Sequence, residues 1–131
     1  MASTPLSQSL VLLVTPEKQA GNHDHTAILS KEGFHVVNHT HEEASVSEIV
    51  RLEPSIIIAE LGDGGSDAMF NLVRRIKAHQ FGRHIPLIVY GVGLTADEIE
   101  KTANAGAMWL QLEPSDGYKL LGAVRGVLRA A

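Results

Sequence analysis

Glu60 ends the apolar run Ile56-Ile57-Ile58-Ala59 and is followed by the Gly/Asp-rich segment Leu61-Gly62-Asp63-Gly64-Gly65-Ser66-Asp67. A carboxylate delivered at such a point can accept hydrogen bonds, ligate a hard cation or attack an electrophile. Glu17 and Asp63 are the carboxylates that could complete a cation site with it, if their oxygens converge. Seven histidines form the second chemical feature, four of them in His23-Asp24-His25 and His39-Thr40-His41-Glu42. On extended backbone a His-x-His pair sends both rings to one side, a donor set suited to Zn²⁺, Ni²⁺ or Cu²⁺. Nothing in the spacing fixes a ligand geometry, so solvated loops are the default. No metal is assigned, and His23, His25, His39 and His41 stand as candidate ligands only. Arg74, Arg75, Lys77, Arg83 and His84 make a local basic patch without a nucleic-acid-binding motif, which reads as a solvated helix face.

Other chemistries are excluded by composition. The chain has no cysteine, so thiol catalysis, disulfides and zinc ribbons drop out. The segment after the first apolar run, Glu17-Lys18-Gln19-Ala20-Gly21-Asn22, lacks both the dinucleotide fingerprint and the phosphate-loop motif. With no catalytic constellation, the expectation is a protein that is not an enzyme and holds no cofactor. A net charge of −4 over 131 residues gives no general attraction for nucleic acid or anionic membrane. The longest apolar runs fall far short of the roughly 20 residues that span a bilayer. Residues 1–9 lack the pattern of a signal peptide and are read as a flexible lead-in, and residues 10–131 as a single domain, with a cytoplasmic location expected.

The elements that position Glu60 follow from hydrophobic pattern. Leu10 to Val14 is a continuous apolar run stopped by Thr15-Pro16. Ala27, Ile28 and Lys31 mark a weak helix, Gly33 its left-handed cap, and Phe34 to Val37 a second strand. A second helix is expected between His41 and Glu53, stopped by Pro54. Asp67 or Ser66 caps a third, whose Met69, Leu72, Val73 and Ile76 face inward and whose Arg74, Arg75 and Lys77 face outward. Ile85 to Tyr90 is a fourth strand, and Thr95-Ala96-Asp97-Glu98 a capping box for a fourth helix closed by Ala105-Gly106-Ala107. Met108 to Leu112 form a fifth strand, and Tyr118, Leu121, Val124 and Leu128 the inner stripe of a last helix. Alternating strands and helices with short connections predict an α/β, flavodoxin-like (βα)5 fold, a doubly wound parallel sheet of order 2-1-3-4-5. Glu60 then sits at the carboxyl edge of the central strand, where such folds place their ligands.

From Leu10 to Leu128 the chain resembles the receiver domain of two-component response regulators. The resemblance rests on Pro54 to Glu60, on Asp67-Ala68, on Ile85 to Val89, on Ala105-Gly106-Ala107 and on Glu113-Pro114. It implies a phosphoacceptor aspartate at position 60, acidic metal ligands at 15 and 16, a switch hydroxyl at 91 and a lysine at 113. The chain instead carries Glu60, Thr15 and Pro16, Gly91 and Glu113. The resemblance therefore implies a degenerate pseudo-receiver, phosphorylation-independent and acting by protein interaction in bacterial-type signal transduction. Its expected face joins the fourth helix, fifth strand and fifth helix, represented by Glu100, Lys101, Trp109, Gln111 and Tyr118. That face could hold a protein partner or form a homodimer. Two alternatives stand beside this reading. One is a small-ligand domain resembling cobalamin-binding domains, on Gly21-Asn22-His23-Asp24 and Gly91-Val92-Gly93; the other is a phosphoacceptor using Asp63 or Glu60.

Overall fold

The computed structural model describes residues 9–15, 24–40, 45–61, 67–91, 94–111 and 117–130. Within them the chain runs β1 (Leu10–Thr15), α1 (Asp24–Lys31), β2 (His35–Thr40), α2 (Val46–Leu52), β3 (Ile56–Glu60), α3 (Asp67–Ala78), a 3-10 turn (Gly82–His84), β4 (Leu87–Gly91), α4 (Ala96–Asn104), β5 (Met108–Gln111) and α5 (Gly117–Ala130). The five strands form one parallel sheet in the order β2-β1-β3-β4-β5. This is the flavodoxin-like arrangement that the alternation of elements predicts.

Two apolar layers sandwich the sheet. Val11, Leu13, Ile56, Ile58, Ile88 and Tyr90 point to one face, where Leu29 of α1 and Leu120, Leu121, Val124 and Leu128 of α5 cover them. Leu12, Val14, Ile57, Ala59, Leu87 and Val89 point to the other, against Ile49 of α2 and Met69, Phe70, Leu72, Val73 and Ile76 of α3. Burial on both faces is why β1, β3 and β4 are unbroken apolar runs rather than alternating ones. Each fully buried aliphatic side chain contributes about 1.5–3 kcal/mol. Arg125 of α5 also pairs with Glu32, just after α1, clamping the two helices of the first layer together.

Local chemistry fixes the element ends. Ser45 accepts from the Glu48 N–H and starts α2, and Glu53 ends it in the left-handed region at φ 50°. Thr95 and Glu98 form the expected reciprocal box, with Glu98 N–H to Thr95 Oγ1 at 3.1 Å and Thr95 N–H to Glu98 Oε1 at 2.8 Å. Gly33 takes φ 97° and Gly106 φ 86°, conformations that a side chain would strain.

Several sequence expectations need correction. β2 continues past Val37 to Thr40, α2 starts at Val46 rather than near His41, and β4 begins at Leu87 rather than Ile85. Tyr118 is 70 % exposed and does not belong to the inner stripe of α5, which is Leu120, Leu121, Val124 and Leu128. At about 100° per residue Tyr118 falls roughly 120° from Val124, well off the buried face. Lys77 does not point outward either. Its Nζ turns back to donate to the carbonyls of Arg83 at 3.2 Å and Ile85 at 2.9 Å. Burial lowers the pKa of that ammonium.

Candidate functional site

Thr15, Glu60 and Gly91 end β1, β3 and β4 on the carboxyl edge of the sheet. Thr15 and Glu60 each follow the register pair Val14 and Ala59, so they extend the two central strands by one residue together. All three are buried; Glu60 is only 8 % exposed. Pro16 and Glu113, the other positions of the degenerate site, lie outside the described residues, as do Glu17 and Asp63.

Glu60 is held by Tyr90 among its contacts. The register pairs Glu60 with Tyr90 across β3 and β4, and parallel partners project from the same face of the sheet. The Tyr90 hydroxyl donates to Glu60 Oε1 at 2.8 Å, and the bond is buried. Tyr90 itself is 3 % exposed and packs in the layer between the sheet and α1 and α5. Its pKa is raised, first by burial, then by the Glu60 charge and the hydrogen bond to it. Sequence reading missed this residue. The signal was present: a tyrosine in a buried apolar strand needs a polar partner, and Tyr90 is the last residue before the edge position Gly91.

Gly91 carries no hydroxyl, and little room is left for one. A Cβ built there would stand 2.9 Å from Leu94 Cδ2 and 3.4 Å from the Leu61 carbonyl oxygen. The tight atom is the end of a flexible side chain, so Gly91→Ser should be accommodated by a shift of Leu94. The expected loss is below about 1.5 kcal/mol, read as the change in thermal midpoint. Among the described residues Glu60 is the one carboxylate at the strand ends, and no group of three or more His, Asp or Glu is placed to hold a metal. Of the histidine candidates, His39 sits half-buried on β2, at the register position of Val14, and His25 lies in α1. His23 and His41 fall outside the described residues, so the pairs cannot be assembled from them.

The face expected to meet partners is largely open. Met108 and Trp109 on edge strand β5 are 44 % and 48 % exposed, and Glu100, Gln111 and Tyr118 are exposed beside them. Lys119 Nζ donates to the Gln111 carbonyl at 2.9 Å, tying the first turn of α5 to β5. Lys101 departs from the expected grouping. Its ammonium lies 3.2 Å from Asp97 and 5.8 Å from the centre of the Phe70 ring, toward α3.

An open parallel sheet of this order, with helices on both faces and the buried Glu60 carboxylate at its edge, defines the class as a doubly wound, flavodoxin-like α/β domain. Within that class the fold is that of response-regulator receivers. The receiver domain of NtrC4 from Aquifex aeolicus superimposes with a TM-score of 0.73 at 24% identity, covering 93% of this chain and 98% of that one. A response regulator from Desulfuromonas acetoxidans gives 0.71 at 24% identity, with coverage of 93% and 98%. A CheY-like receiver domain protein from Methanospirillum hungatei JF-1 gives 0.75 at 19% identity, with coverage of 94% and 95%. No family model matches the sequence, and no curated protein matches it. The likeness is one of fold, and the chemistry at the edge has to be argued from the residues that stand there.

Proposed function

We propose that this chain is a phosphorylation-independent receiver-fold module that works by binding a protein partner in bacterial-type signal transduction, and not as an enzyme. The observation that carries this reading is the buried hydrogen bond between the Tyr90 hydroxyl and Glu60 Oε1. A phosphoacceptor needs a carboxylate free to approach the phosphoryl donor in line, with donors ready for the transferred oxygens. Glu60 is one methylene longer than an aspartate, one of its oxygens already accepts from Tyr90, and Gly91 offers no side-chain donor. The carboxylate is thus committed to holding two strands together.

With the edge chemistry so committed, function passes to surface. Glu100, Trp109, Gln111 and Tyr118 supply an exposed mixture of apolar and polar groups, with aromatics of the kind enriched at interfaces. The partner is a signalling protein or a second copy of the chain. Such a role would be carried out in the cytoplasm; among the described residues no helix is long and apolar enough to cross a membrane.

Titration with Mg²⁺ and beryllofluoride, which imitates an acyl phosphate, tests the reading through the amide spectrum. The amides of Glu60, Tyr90 and Gly91 are expected to stay in place at millimolar ligand. A joint shift of these three that spreads to Trp109 and Tyr118 would mean a working phosphoryl switch and end the proposal.

A further inference from the structure

A second surface lies at the opposite end of the sheet from Glu60. There the C-terminal turn of α2 and the segment between α3 and β4 enclose an open groove of about 480 Å³, lined by Val50, Arg51, Glu53, Pro54, Phe81 and Ile85. Its volume is in the range of sites that accept a few side chains or a small ligand. Phe81 is 61 % exposed on its rim, one side of its ring against His79 at 5.8 Å between ring centres and the rest presented to solvent.

The turn that presents Phe81 is held firmly. His79 Nδ1 accepts from the Phe81 N–H at 3.1 Å and from the Gly82 N–H at 3.4 Å. The Arg83 N–H donates to the His79 carbonyl at 2.9 Å and the Ile85 N–H to the Gly82 carbonyl at 3.0 Å. Lys77 ties down the carbonyls of Arg83 and Ile85 from below. Gly82 lies so close to α3 that a Cβ there would meet the Ile76 carbonyl oxygen at 2.3 Å. An exposed aromatic on a rigid turn loses little conformational freedom on binding, which is what a preorganised anchor point requires.

Charge tells what would bind. Between Asp67 and Asp97 the chain has no Asp or Glu, yet it carries Arg74, Arg75, Lys77 and Arg83, in a protein of net charge −4. Arg74, Arg75 and Arg83 are exposed, and Arg51 adds an exposed guanidinium on the α2 wall. Among the described residues none of these four arginines is ion-paired. Glu53 is the one acid in the lining, on the wall opposite Phe81 and Ile85. The field therefore favours a negative partner on the side of α3 and the 3-10 turn.

We propose that this groove docks an acidic peptide segment bearing an apolar anchor residue. The anchor packs on Phe81, Pro54 and Ile85, and flanking carboxylates meet Arg51 and Arg83. The site is independent of the Glu60 edge and stands or falls separately from the reading above.

The test titrates the ¹⁵N-labelled full chain with an acetylated Asp-Glu-Leu-Phe-Glu-Asp peptide and with its counterpart in which each acid is lysine. The acidic peptide is expected to move the amides of Arg51, Phe81, Arg83 and Ile85 in a saturable way, less at high salt. Phe81→Ser and Arg83→Glu, both at exposed positions, should each weaken binding about tenfold or more, a change of about 1.4 kcal/mol. No movement at millimolar peptide, or equal movement with the lysine peptide, overturns the proposal. Movement of the same amides on raising protein concentration without peptide would assign the groove to a second copy, and overturns it as well.

Discussion

Ile57→Ala is expected to lower stability by about 2–5 kcal/mol and the thermal midpoint by on the order of 10 °C. Ile57 is wholly buried in the central strand, between Leu12 of β1 and Leu87 of β4 in register, and packs with the layer of Ile49, Met69 and Val73. Truncation removes buried carbon and leaves a void. The surroundings have little freedom to fill it, because the strand is hydrogen-bonded on both sides and the Ile57 N–H is fixed to the Pro86 carbonyl at 2.9 Å. Thermal or urea unfolding measures the loss, with Tyr118→Ala as the exposed control, expected within about 0.5 kcal/mol of the parent. A shift no larger than that of the control would contradict burial of β3 on both faces.

Tyr90→Phe carries the second large effect, about 1–3 kcal/mol, because it takes a donor away from a buried carboxylate while leaving that carboxylate in place. The same residue sets an alkaline limit. In the folded chain the phenol stays protonated above its usual range, mainly through burial, while in the unfolded chain it ionises near the ordinary value of about 10. Below that pH its contribution is complete. Above it the unfolded state holds fewer protons than the folded one, so stability falls as pH rises toward the folded-state pKa. Tyr90→Phe should flatten this alkaline loss. The chain has two tyrosines, so in a Tyr118→Phe background phenolate absorbance reports Tyr90 alone. It is expected to appear only as the far-UV dichroism disappears; phenolate in the intact fold would refute the buried contact.

The parts of the fold legible in the sequence are those fixed by local rules. Leu10 to Val14 and Ile56 to Ala59 announce strands because burial on both faces leaves no polar residue to interrupt them. The Thr95 to Glu98 box and Gly33 announce helix ends because their partners lie within a few residues. Lys77 was misread since its long side chain can reach backbone carbonyls that come close only after the chain turns at Gly82. Tyr118 fitted a spacing of three, but the buried stripe is set by where α5 meets the sheet, and that centres on Val124. At the site, the position of Glu60 could be read from the strand it ends. Its partner could not, because pairing with Tyr90 depends on the register of β3 against β4, a property of the assembled sheet.

That register also couples two positions far apart in the sequence. Positions 60 and 90 are neighbours across two strands, so a change at one alters the surroundings of the other. Glu60→Asp would pull the carboxylate back by one methylene from a hydroxyl placed for the longer side chain. An aliphatic residue in place of Tyr90 would take away the hydroxyl that donates to Glu60 Oε1. Each single change is expected to cost stability, and because the two side chains share one buried bond the effect of altering both will differ from the sum of the two alone.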